Sequence, residues 1–120
     1  MEAHQAQISL LLAQRTDSHV RHDELLAEWD ALVARRAEVL AKRHELHLQI
    51  RNKNPSQSVI ERAQLRVQAH HLGEEVVEID AKNRENQERE KVMIQEHEEL
   101  EVKIEEAYEQ LERLRRCRSR

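Results

Sequence analysis

The stretch "RNKNPSQSVIER", residues 51–62, is the one place in the 120-residue chain that is obliged to interrupt a helix. It holds the sole proline. Whether the chain reverses there or only kinks separates a helical hairpin from a long rod that needs a second copy. Pro55 offers no amide donor and pushes Asn54 out of the α region, so a helix arriving from Glu45 should end between Arg51 and Asn54. The next helix has two available starts. One has Asn54 as N-cap and Pro55 at the first helical position; the other is Ser58 with Glu61, which reads as a capping box. A stop, a few polar residues and a fresh cap make a complete helix-to-helix connection, whereas a kink needs no second cap.

Outward from this turn the chain reads as two helical blocks. In the second, Leu65, Ala69, Leu72, Val76, Ile79, Asn83, Asn86, Glu90, Met93, His97, Leu100, Ile104, Ala107, Leu111 and Leu114 alternate steps of four and three without a break. With Ala69 at heptad position a, such a 3.5-residue period implies a left-handed coiled coil with a partner helix. Asn83, Asn86 and Glu90 form its polar register. The first block shows a wider apolar face: Leu25, Leu32, Val39 and Leu46 recur every seven residues, Leu26, Val33 and Leu40 sit beside them, and Trp29 extends the stripe. That width points to packing against more than one helix. Arg36 and Arg43 share the row of Trp29, their stems covering apolar surface and their heads in water.

The expected fold is all-α: two long helices in an antiparallel coiled-coil hairpin that can dimerise into a helical bundle. The arms span residues 1–51 and 59–116, the turn 52–58 and a basic tail 117–120, all in one domain. Reversal about Asn54 and Pro55 would bring together residues whose numbers sum to roughly 109. That sets Trp29 near Ile79 and Asp80, Arg36 near Gly73, and His19 and His22 near Glu90 and Gln87. Ala107 to Arg120 would overhang. The competing arrangement is a parallel homodimer through the second block, with Asn83 fixing register at an a position.

Composition narrows the function. One glycine, one proline, no phenylalanine and 37% charged residues suit long helices and disfavour an ordinary globular core. The net charge of −4 has both signs interspersed, so the surface does not call for a polyanion. "RLRRCRSR", residues 113–120, is the exception, and it reads first as a cationic helix end favoured by the helix dipole. A basic-tail polyanion or nucleic-acid binder is therefore an alternative, disfavoured because the basic run follows the heptads and stacking aromatics are missing. No apolar run is long enough to span a bilayer. A single cysteine, Cys117, fits a reducing compartment, so a cytoplasmic or cytoskeleton-associated location is expected.

Eight histidines raise the question of a metal. His19/His22 and His44/His47 are spaced i, i+3, but "HELH" lacks the spacing of a zinc protease motif, and no Cys or carboxylate cluster completes a site. They read as solvated or interface residues, with mild pH sensitivity as the remaining role. No enzyme activity and no cofactor are expected, since a pocket with positioned groups is missing from the pattern. Two stretches read as docking sites: Ile8, Leu10, Leu11 and Leu12 near the N-terminus, and Ile104, Tyr108, Leu111 and Leu114 near the other end. The function this implies is a structural or adaptor coiled coil that binds partner helices, its own or those of a heterologous coiled-coil subunit, to scaffold an assembly. The hairpin format is similar to that of stalk and chaperone-like proteins of bacterial type III export, and recurs in cytoskeletal, ciliary and vesicle-tethering subunits.

Overall fold

The computed structural model describes residues 2–52 and 57–118. It contains two helices, α1 (Glu2–Arg51) and α2 (Val59–Arg118). Their composition favours them throughout, being rich in Ala, Leu, Glu, Arg and Gln, the straight-chain helix formers. α1 closes with the Asn52 amide donating to the Leu48 carbonyl at 2.9 Å. α2 opens at the second of the two predicted starts: Ser58 Oγ accepts from the Glu61 amide at 3.1 Å, and the Ser58 carbonyl takes the Arg62 amide. Asn54 and Pro55 lie outside the described residues.

Helices this polar owe their stability to the face they bury rather than to propensity. By contacts the chain falls into two compact units: a terminal unit, Met1–Leu26 with Gln87–Arg120, and a turn unit, Ala27–Asn86. In each, α1 and α2 pack antiparallel, so the fold is a helical hairpin without strands among the described residues. The seam of α2 that a parallel rod would use is covered by the chain's own α1.

In the turn unit the core is Val39, fully buried, against Val76 and Ile79, with Leu32, Leu40 and Leu72 around it. Arg36 Nε donates to Asp80 Oδ1 at 2.7 Å, and Arg35 Nε to Glu75 Oε1 at 2.8 Å. The Arg43 guanidinium lies over Gly73. In the terminal unit Ile8 and Leu11 pack with Ile104, Ala107 and Leu111, flanked by Leu12 and Leu100.

These contacts correct the expected register. Arg36 with Asp80, Arg43 with Gly73, Arg15 with Glu101 and His19 with His97 are pairs whose numbers each sum to 116, not roughly 109. Asp80 therefore meets Arg36 instead of Trp29, and Gly73 meets Arg43 instead of Arg36. A heptad seam remains in phase when one helix slides by seven residues, so sums near 108 and near 115 bring equivalent faces together. Specific interhelical pairs choose between them. The expected overhang from Ala107 shrinks accordingly: Ala107 and Leu111 are core, and of the seam residues past them Leu114 is exposed.

The same register exposes a seam in α1 that its sequence conceals. The inward positions are His4, Ile8, Leu11, Arg15, Ser18, His22 and Leu25 in the terminal unit, and Trp29, Leu32, Arg36, Val39, Arg43, Leu46 and Ile50 in the turn unit. All are buried or half-buried, they alternate four and three, and subtracting each from 115 lands on an α2 seam residue. Leu26 and Val33, which read as part of a wide inner face, are 39% and 52% exposed.

Two outcomes test this assignment. Val39→Ala removes two buried methyl groups and should cost about 2 kcal/mol, whereas Val67→Ala at an exposed α2 position should stay within about 0.5 kcal/mol in denaturant melts. Gly73 has ordinary helical geometry, and an added Cβ would sit 3.5 Å from Arg43 Cζ, an ordinary contact. Gly73→Ala should thus raise stability by about 0.5–1 kcal/mol through helix propensity alone.

Candidate interaction surfaces

The seam is interrupted by polar layers, and these decide what the hairpin can do chemically. In the turn unit Asn86, 3% exposed, is the buried polar side chain among the described residues. Asn83 is half-buried, and its Oδ1 is shielded from solvent without a hydrogen-bond partner. Of the residues that the heptad reading picked out here, Val76 and Ile79 are core, and Leu65, Leu72, Leu32, Leu40, Leu46 and Trp29 are half-buried.

In the terminal unit the polar layer is built from histidines. The rings of His19 and His97 meet edge to face with centroids 4.6 Å apart. His22 Nε2 lies 3.7 Å from Glu90 Oε2, too long for a hydrogen bond, and His97 Nε2 lies 3.9 Å from Glu101, which Arg15 also approaches at 3.5 Å. Sequence placed both His19 and His22 beside Glu90; the structure puts only His22 there. His19, His22 and His97 line a groove of about 240 Å³ with Ser18, Met93, Ile94 and Glu98. Among the described residues no three His, Cys, Asp or Glu side chains converge as a metal site. Leu25 is 1% exposed, Met93 and Leu100 are half-buried, and Ile104 and Leu111 are core.

The expected docking sites change in content. Ile8 and Leu11 are covered by α2 alone, leaving Leu10, 59% exposed, as the outward member of that stretch. At the other end Ile104 and Leu111 are within reach of α1, so Tyr108 and Leu114 remain on the surface at 49% and 37%. Cys117 is exposed and belongs to α2.

A flank-to-flank difference went unseen in the sequence because it depends on the α1 seam. In the turn unit one flank of the helix pair carries Glu28, Arg35, Lys42 and Gln49 from α1 and Gln68, Glu75 and Lys82 from α2, all long and polar. Here the hydrogen bond from Arg35 to Glu75, joined by the nearby Glu38, raises the Arg35 pKa further. On the opposite side α1 presents Val33 and Leu40, with Ala34, Ala37, Ala41 and Leu48 further round; Val33 and Leu48 are 52% and 45% exposed. One flank is thus built for water. The other offers the exposed Val33 and the half-buried Leu40 beside Asp30, Ala37 and His44.

No protein-family model matches the chain, and no curated protein or solved structure is significantly similar to it. No helix among the described residues is long and apolar enough to cross a membrane.

The polar layers carry a testable cost. Asn83→Leu fills the same seam position without an unpaired acceptor and should raise stability by about 1 kcal/mol, read as a higher denaturation midpoint with unchanged helicity.

Proposed function

We propose that the chain is a non-enzymatic coiled-coil hairpin that acts as a structural or adaptor element, presenting a helical face to partner helices. One observation carries this reading: α1 and α2 close their shared seam, yet α1 keeps Val33 52% exposed and Leu48 45% exposed on a face that α2 does not cover. Exposed large apolar residues that repeat along a helix are what a further helix packs against. The intervening alanines let a second backbone approach closely, and the charged flank on the other side keeps the pair in solution. Nothing in this arrangement needs a cofactor. The grooves between the helices are shallow and lined largely by charged or amide side chains such as Lys42, Glu45, Gln49 and Gln68, which suits solvated surface better than a catalytic pocket.

The test separates surface from stability. Val33→Glu should leave helicity and melting temperature unchanged, because the position is half in water, and should abolish capture of the partner by the tagged protein in its native cells. Retention of every captured protein by Val33→Glu would remove this face from the function.

A further inference from the structure

The uncovered face of α1 carries information about its occupant. Around Ala37, in the turn unit, its residues are arranged so that a reversed copy complements them. Asp30 and His44 lie seven residues to either side of Ala37, on the same heptad row. In an antiparallel pair of α1 helices with Ala37 at the two-fold axis, each Asp30 faces His44 of the second copy, and this polar contact is made twice. On the neighbouring rows Val33 falls opposite Leu40, and Ala34 opposite Ala41. All three rows of this contact are thus matched in size or in charge.

We infer that this face is a homodimer interface, in which two hairpins associate through antiparallel α1 helices centred on Ala37. The inference rests on the helical-face reading above and names the partner of that face as a second copy of this chain. A parallel pairing through the same face would stack Asp30 on Asp30 and His44 on His44, so charge selects the antiparallel orientation. It also sets Ala37, the smallest side chain of its row within the turn unit, where the two helices cross closest. A pair of this kind is isologous: one patch serves both copies and the assembly closes at two. Two hairpins joined this way form a four-helix arrangement in which the polar flank of each faces outward.

Mass measurement by light scattering on the purified chain at about 100 µM should give twice the 14.3 kDa of one chain. Asp30→Lys, which sets an ammonium against His44, should weaken association by about tenfold, and adding His44→Asp should restore it. Orientation is read by cross-linking in a Cys117→Ser background under a mild oxidant: Ala37→Cys, on the axis, should yield a covalent dimer, and Leu48→Cys should not, since its counterpart lies about 30 Å away along the antiparallel partner. A monomer at that concentration, unchanged association in Asp30→Lys, or equal cross-linking at both positions would overturn the proposal. A monomer whose Val33→Glu variant still loses a heterologous partner would overturn only the homodimer, leaving the helical-face reading in place.

Discussion

Everything in this molecule depends on each helix supplying the other's missing apolar face. Neither α1 nor α2 is hydrophobic enough to be stable alone in water, and the net contribution of the helical hydrogen bonds is small once exchange with solvent is counted. What holds the hairpin is the line of side chains at alternating steps of four and three, met from the other helix by the same pattern running backwards. Val39 against Val76 and Ile79, and Ile8 and Leu11 against Ile104, Ala107 and Leu111, are the two buried apolar clusters along that line. Most of the stability must come from them. The ion pairs contribute less: Arg36 and Asp80 are both more than 40% exposed, and pairs in that setting are worth up to about 1 kcal/mol.

Yet the weak pairs matter for which structure forms. A seam with a seven-residue repeat tolerates slippage by a heptad, and apolar residues discriminate poorly between neighbouring registers because leucine meets leucine, or something close to it, in either. Arg36 reaching Asp80, Arg35 reaching Glu75 and the Arg43 guanidinium placed over the only glycine are contacts that a slipped register would lose. Asn83, Asn86 and the histidine layer act in the same direction, since each lowers stability in exchange for fewer acceptable alternatives. Strength comes from the apolar layers and uniqueness from the polar ones.

The two flanks of the turn unit differ in the same way. Once the inner seam is closed, long polar side chains on one side suit water, while Val33, Leu40 and the alanines of α1 suit another helix. On the adaptor reading proposed above, this would bias the hairpin towards partners approaching from one direction. That bias requires no pocket and no cofactor. It is a property of how a narrow seam is cut from a helix that is apolar on more than one side.

The sequence by itself determined the helical class, the reversal near residues 52–58 and the seam of α2, because each has a local cause in a proline or an unbroken period, while it left two starts for α2 open, of which the structure uses Ser58. It did not determine which of two adjacent apolar rows of α1 faces inward. Leu25, Leu32, Val39 and Leu46 compete with Leu26, Val33 and Leu40 on equal terms until α2 is in place, and Arg15, Ser18, Arg36 and Arg43 hide the true seam because polar residues are not expected there. Only the tertiary structure decides, since a long arginine stem can fill a seam position while its head leaves for a carboxylate on the other helix. The register is the same kind of quantity. It belongs to pairs of residues far apart in the chain, and the periodicity of either helix leaves it free by one heptad.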